Sequence, residues 1–263
     1  MSRSTLCLAA LAVSSTLLFA AEGGEQPPLP NELAVTDAIS MTDADEAYVA
    51  TSIQHFKLAD QRRTTAAVEA AYGLTDRLRI SAEMPYVLVR PDGGGSASGI
   101  GDGELGVRYG VLDYRKRPFV LDVGFALSLP SGDETRDLGE GRVVAAPSLI
   151  ASRWLGPVNV ELNVAWARAV NHPGDGPRNV VEHNVAILYP VGSWYLVLEG
   201  NGETAGGETS YYVTPEAVWK ASEHVQLLLA APIGVTRAAG DYGVIAGCTV
   251  ELEHLLHRGA ARD

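Results

Sequence analysis

The stretch "VNVELNVAW", residues 158–166, alternates without a break. Val158, Val160, Leu162, Val164 and Trp166 fall on one face of an extended chain. Asn159, Glu161, Asn163 and Ala165 fall on the other. Successive side chains of a strand point to opposite sides, whereas a helix would scatter this set around its axis. The pattern therefore predicts a strand with one hydrocarbon face and one polar or small face. It recurs in "LRISAEMPYVL" (78–88), "GIGDGELGVRYGVL" (99–112), "FVLDVGFALSL" (119–129) and "YGVIAGCTVEL" (242–252). In the second of these, Leu105, Val107, Tyr109 and Val111 alternate with Glu104, Gly106, Arg108 and Gly110. Glycines on the polar face let a sheet curve or let facing side chains approach closely.

About twelve such segments are legible, near 47–58, 64–73, 78–89, 102–112, 119–129, 142–153, 158–168, 179–189, 194–202, 209–220, 224–235 and 242–253. Each is close to the ~9–11 residues that a tilted strand needs to cross a bilayer. Short connections ("LTD" near 75, "LGP" at 155–157, "PVGS" at 190–193, "ASE" at 221–223) alternate with long ones ("RPDGGGSASGIG" from 90, "PSGDETRDLGEG" from 130, "NHPGDGPR" from 171). Short turns on one rim and long loops on the other are the pattern of a transmembrane β-barrel. Two connections fit less well: "DYRKRP" at 113–118 is long for the short-turn rim, and the loop after the first strand is brief. Tyr72, Phe119, Trp154, Tyr189, Trp194 and Trp219 lie next to short turns, and Tyr86, Trp166, Tyr211 and Tyr242 lie toward long loops. Two such belts match the aromatic girdles of a membrane barrel. The alternation by itself suits a water-soluble β-sandwich equally well, with the apolar face turned inward.

The amino terminus bears on that choice. "MSRSTLCLAALAVSSTLLFAAEGGEQ" has a basic start at Arg3, an apolar stretch to Ala21 and small residues before Glu22. It reads as a cleavable secretory signal over residues 1–21, the apolar part being shorter than the ~20 residues of a membrane anchor. Cysteines occur only at Cys7 and Cys248. Removal of the signal leaves Cys248 alone, so no internal disulfide staples the exported chain. The net charge is −12, with 32 acidic and 20 basic side chains. Loss of Arg3 leaves 32 acids against 19 bases. Such a balance argues against nucleic-acid binding, which needs clustered Lys and Arg. Residues 22–45, rich in Glu, Pro and Asp, read as a flexible leader that either plugs the barrel or hangs free. The barrel is expected over 46–254 and a tail over 255–263. An export signal, an even strand number, loop asymmetry and paired aromatic belts together predict an all-β, antiparallel up-and-down barrel in the cell outer membrane.

Three stretches in order, "AYGLTDRLRISAEMPYV", "GIGDGELGVRYGVL" and "LSLPSGD", resemble the outer-membrane "MetA-pathway of phenol degradation" proteins. The resemblance covers most of the exported chain as a pattern, and these three stretches carry nearly all its specificity. It implies a transporter-like barrel of the Gram-negative outer membrane for small hydrophobic or aromatic solutes. Outer-membrane lipid and the barrel assembly machinery are the implied partners. The chain departs from the usual barrel ending: "VELEHLLHRGAARD" carries a basic tail and no terminal aromatic residue.

In a barrel of this parity the polar face is the lumen. Its expected charged lining is Glu69, Arg79, Glu83, Glu104, Arg108, Asp122, Glu161, Glu182, Glu199 and Glu216, with Lys220 and Glu251 on the same face. Rings of carboxylates favour cations. The competing expectation is a packed lumen in which the acids pair with arginines and water, a structural or interaction barrel with a plug. No enzyme is expected: His183 and His172 have no serine placed to act as a nucleophile, and His183 falls on the apolar face. His254 and His257 lie three apart without a cysteine cluster, so no metal is expected. "DGGGSASGIGDG" lacks the Lys-Ser/Thr that follows a phosphate-binding loop, and no cofactor is implied.

Overall fold

The alternating segments form strands that close on themselves. The computed structural model describes residues 27–39, 42–112, 119–171 and 176–252. The strands are β1 (Ala47–Lys57), β2 (Gln61–Thr75), β3 (Leu78–Pro91), β4 (Ala97–Ile100), β5 (Gly103–Leu112), β6 (Phe119–Leu129), β7 (Val144–Leu155), β8 (Val158–Ala169), β9 (Asn179–Val191), β10 (Trp194–Ala205), β11 (Glu208–Lys220), β12 (Val225–Ala230), β13 (Ile233–Gly234) and β14 (Tyr242–Leu252). A single 3₁₀ turn, Glu134–Arg136, is the one helical element among the described residues. Each strand pairs antiparallel with its neighbour, and β1 pairs with β14 from Ala47↔Leu252 to Lys57↔Tyr242. β4 is a short addition to β3, and β12 with β13 makes one stave interrupted at Pro232. The result is the expected closed, antiparallel barrel of twelve staves.

Which face is inside is settled by burial. Leu105, Val107, Tyr109, Val123, Phe125, Leu162, Val164, Trp166, Ile187, Leu196 and Leu198 are exposed on the outer surface. Arg79, Arg108, Asp122, Asn159, Glu161, Asn163, Glu199, Asn201, Thr214 and Glu216 are buried. A soluble sandwich has the opposite arrangement, because burying apolar surface is what drives its folding. An apolar outer belt is stable only against hydrocarbon, and closure leaves no strand edge with unpaired backbone groups there. The answer to the glycines of 99–112 is local. A Cβ on Gly106 would sit 2.5 Å from Ser81 Oγ across the strand pair, so the absence of a side chain there gives the serine hydroxyl its room on the inner face.

The aromatic belts have defined partners. Trp194 and Trp219 are directly paired across β10 and β11 and stack at 5.5 Å on the outer face beside the short turns. Phe119, Tyr189, Tyr86, Trp166, Tyr211 and Tyr242 are exposed at their respective rims. His183 shares the outer face, and its Nε2 is hydrogen-bonded to the Tyr211 hydroxyl at 2.8 Å. The rims are less regular than loop lengths suggest, since β10 and β11 meet on the long-loop rim through Gly206 and Gly207 alone. The signal segment, the 113–118 loop, His172, His254, His257 and the 255–263 tail lie outside the described residues.

Leu162 lies near the middle of β8 with half its surface on the outer belt. Replacing it with arginine should cost about 2–4 kcal/mol, the penalty for a cation facing lipid at the bilayer midplane. Denaturant midpoints of Leu162→Arg against the parent, refolded into lipid vesicles, measure it. Ala165→Arg, on the inner face, should cost less.

Candidate functional site: the lumen and the segment inside it

The lumen is not empty. Residues 27–39 precede β1, which begins at the short-turn rim beside Tyr72 and Leu252. At that rim the Tyr195 hydroxyl donates to Pro28 O at 2.7 Å, and Lys220 Nζ donates to Pro28 O and Leu29 O at 3.0 and 3.1 Å. Gln226 reads the next turn of chain, accepting from Asn31 N at 3.0 Å and donating to Glu32 O at 2.8 Å. Asn31 Nδ2 donates to Glu251. Leu33 and Ala38 pack into an apolar cluster with Leu188, Tyr195, Val197, Val218, Leu228 and Ile245. Ile39 packs on Val120 and Ile150. The short-turn half of the barrel is thus filled by apolar side chains from both wall and segment.

An irregular chain inside a barrel must find partners for its backbone N–H groups. Three wall glutamates supply them. Ala34 N donates to Glu216 Oε2 at 3.2 Å, Val35 N and Thr36 N donate to Glu199 at 3.3 and 2.6 Å, and Ile39 N donates to Glu161 Oε2 at 3.1 Å. The Thr36 hydroxyl adds a second bond to Glu199 at 2.6 Å. Asp37 at the tip accepts from Asn163 Nδ2 at 2.8 Å and faces Arg108 at 3.5 Å, while Arg108 also donates to Ala38 O. The wall side of this contact is itself tied together. Asn184 donates to Asn163 and Asn201 to Asn184, residues aligned across β8, β9 and β10, and the Thr214 hydroxyl on β11 donates to Asn201.

Above the segment's tip lies a cavity of about 330 Å³ whose floor is residues 32–38. Glu69, Glu83, Glu104 and Glu182 line it together with Arg79 and Arg108. Register places Glu69 opposite Glu83, and Glu83 opposite Glu104, on three adjacent strands. Glu182 and Glu203 are likewise paired on β9 and β10. Like charges directly opposite each other oppose strand pairing, so these rows are not there to stabilise the wall. Tyr48 donates to Glu69 at 3.1 Å, and the Arg79 guanidinium lies 5.4 Å from the Tyr48 ring.

The sequence-derived lining therefore divides into two groups. Glu69, Arg79, Glu83, Glu104, Arg108 and Glu182 surround the cavity, with Arg108 also reaching the segment. Glu161, Glu199 and Glu216 hold the segment. Asp122 stands apart, buried beside Ile150 with neither carboxylate oxygen hydrogen-bonded. Sequence reasoning missed Asp37, Asn201, Gln226 and Glu203. It also missed the inward apolar residues of the filled half.

The long-loop rim is narrowed as well. Leu138, on the loop between β6 and β7, is buried against Val87, Val89 and Ala97, so this loop folds in over β3. Asp102 fixes it, accepting from Gly132 N at 2.8 Å and Glu140 N at 2.6 Å. Ser131 Oγ closes the junction, donating to Gly101 O and accepting from Gly103 N. A Cβ on Gly139 would come within 2.3 Å of Asp102 Oδ1. "GIGDG" and "LPSGD" are thus two halves of one loop lock.

No family model matches the chain, and no curated protein matches it. Among solved structures, the COG4313 outer membrane channel from Pseudomonas putida F1 is similar at 15% identity and a TM-score of 0.70, over 84% of this chain and all of that one. The NanC porin is similar at 10% identity and a TM-score of 0.56, over 78% of this chain and all of that one. The KdgM porin, solved with oligogalacturonate, is similar at 10% identity and a TM-score of 0.52, over 76% and 98%. These likenesses are of fold.

Asp102→Ala should free the infolded loop at a cost of about 1–3 kcal/mol, the penalty for leaving N–H groups unpaired. Limited proteolysis between residues 131 and 141 should speed up while heat-modified mobility on a denaturing gel stays that of a closed barrel.

Proposed function

We propose that the protein is a passive channel of the Gram-negative outer membrane for small solutes, gated by its own residues 27–39. One observation carries this reading. A polar, charged lumen with a cavity open above the segment is enclosed by a wall whose outer face is apolar. A wall of that kind separates a water-filled route from lipid, and no strand edge leaks. The fold likeness to outer-membrane channels and porins supports the location. The three stretches resembling the phenol-degradation proteins support small hydrophobic or aromatic solutes as the cargo.

A second reading, a structural or interaction barrel with a permanent plug, is favoured by the segment itself. Its bonds to three buried glutamates and its apolar packing hold it in the narrow half of the barrel. Conductance separates the two. Planar-bilayer recordings of the full exported chain should give small or intermittent steps, and deletion of residues 27–39 should give larger, steadier ones. A full chain that never conducts, with steps appearing only after the deletion, would favour the permanent plug.

The cavity acids also predict ion preference. Glu104 and Glu182 face the open space and should make the conducting state cation-selective. In the deletion variant, Glu104→Lys combined with Glu182→Lys should move the reversal potential in a salt gradient toward anions. An unmoved reversal potential would place the ion path elsewhere.

A further inference from the structure

The outer face of the wall carries few charges, and they share one sign. Among the described strand residues of outward parity, the charged ones are Lys57, Arg62, Arg90, Arg153 and Arg168, with no acid among them. This stands against a net charge of −12 for the whole chain. Neither Arg153 nor Arg168 has a charged residue opposite it, and Arg168 lies over the Trp166 ring at 5.6 Å. The other three are side by side. Register puts Lys57 on β1 opposite Arg62 on β2, and Arg62 opposite Arg90 on β3. They stand at the long-loop rim, where Lys57 is also aligned with Tyr242 on β14.

The direction of these side chains is fixed by their neighbours. Gln61 and Arg63, on either side of Arg62, turn inward and bond Asp137 of the infolded loop. Val87 and Val89, just before Arg90, turn inward against Leu138. Arg62 and Arg90 therefore project outward, and both are exposed. Lys57 is partly answered, since its Nζ lies 3.1 Å from Asp92 Oδ2 and donates to Leu58 O at 2.6 Å. Arg62 and Arg90 have no side-chain hydrogen bond or ion pair among the described residues, and Asp60 in the turn between β1 and β2 pairs with neither.

Like charges directly opposite each other oppose strand pairing, so the row calls for an anion from outside the chain. Adjacent strands are about 4.8 Å apart, which brings two guanidinium forks within reach of one phosphate, the anion whose oxygens they match. The wall beneath the row is apolar. Register sets Ile53, Ala66 and Tyr86 in line on the same three strands. Ile53 and Tyr86 are half-exposed, and Ala66 between them is small. They make a shallow apolar trough below Arg62. A phosphate above a strip of hydrocarbon is the layout of a phospholipid or phosphorylated glycolipid, and long loops face the outer leaflet.

We propose that Arg62 and Arg90, with Lys57, seat a phosphate group of the phosphorylated glycolipid of the outer leaflet, one of its acyl chains lying in the trough over β2. The proposal rests on the outer-membrane placement above and not on conduction. The strand end "QRRT", residues 61–64, then faces two ways: Arg63 holds the loop inside the mouth, and Arg62 holds lipid outside it.

The test titrates full-length protein, in a zwitterionic detergent, with fluorescent bisphosphorylated lipid A. Arg62→Gln with Arg90→Gln should weaken binding about 25-fold, about fivefold for each cation removed beside a lipid headgroup. Arg153→Gln with Arg168→Gln removes the same outward charge where no row exists and should leave binding within about twofold, because distant surface charges are screened. Lipid A stripped of its phosphates should bind the parent no better than it binds the Arg62/Arg90 variant. Inorganic phosphate at millimolar concentration should not displace the lipid. Equal weakening by the two double variants, or binding that survives dephosphorylation, overturns the proposal. Displacement by inorganic phosphate overturns it too, since the row is then an anion site without a lipid. Should the double variant fail to close, as read by heat-modified mobility, Arg62→Gln and Arg90→Gln singly should each show the fivefold step. Lipid binding through the row in a protein that never conducts refutes the channel and keeps the seat. A conducting deletion variant without phosphate-dependent lipid binding refutes the seat and keeps the channel.

Discussion

The pairing of β1 with β14 is the constraint on which everything else depends. It runs over the full length of both strands, from Ala47↔Leu252 to Lys57↔Tyr242. Without it the sheet would end in two rows of unpaired N–H and C=O groups facing an apolar medium, at several kcal/mol each. Closure also forces a choice of faces. Once the ring is complete, one side of every strand is inside, and the outer side must match the surrounding solvent. Here the outer side is Val, Leu, Ile, Phe and Trp, so the polar face has nowhere to go but inward. The buried carboxylates follow from the closure rather than from any separate design of a polar core.

An inward polar face then needs partners. Small barrels fill their interiors with side chains, and large ones leave water. Twelve staves stand between these limits, and this chain uses both solutions at different heights. Beside the short turns, apolar wall residues such as Leu188, Val218 and Ile150 turn inward, and Leu33, Ala38 and Ile39 complete the packing. At mid-height the acids meet backbone donors of the segment. Toward the long loops the acids face open space, and the infolded loop held by Asp102 limits the mouth. The same residue type, glutamate, serves as a backbone acceptor in one layer and as a free lining charge in the next. The difference lies in whether a main chain passes within reach.

This layering explains what could be read in the sequence. The strand count, the face parity and the closed barrel were legible, because a period of two leaves a strong trace in segments such as 158–166. The inward direction of Glu161 and Glu199 followed from the same parity. What they contact did not. Residues 27–39 have no periodicity at all, since they form no regular element, and nothing in "PPLPNELAVTDAIS" marks which N–H groups need acceptors. The filled half left a fainter trace. In "AILYPVGSWYLVL", residues 186–198, apolar residues occupy both parities, and Leu188, Tyr195 and Val197 are the inward ones. A strand end that loses its alternation beside a short turn is a sign that something apolar is packed inside at that level.

The asparagine chain of the wall bears on why the segment has one seat rather than several. Asn163, Asn184 and Asn201 are aligned on adjacent strands; the Thr214 hydroxyl donates to Asn201, Asn201 to Asn184 and Asn184 to Asn163. Asn201 also donates to Glu199 Oε2 at 3.0 Å, which leaves that carboxylate oriented toward Thr36. Asn163 accepts from Asn184 and donates to Asp37. A backbone segment sliding by one residue would carry the Thr36 hydroxyl away from Glu199 Oε2. Such a slip also takes Asp37 away from both Asn163 and Arg108. The wall therefore reads the segment's register through the side chains of Thr36 and Asp37. The segment gains a unique position in the lumen without being part of the sheet.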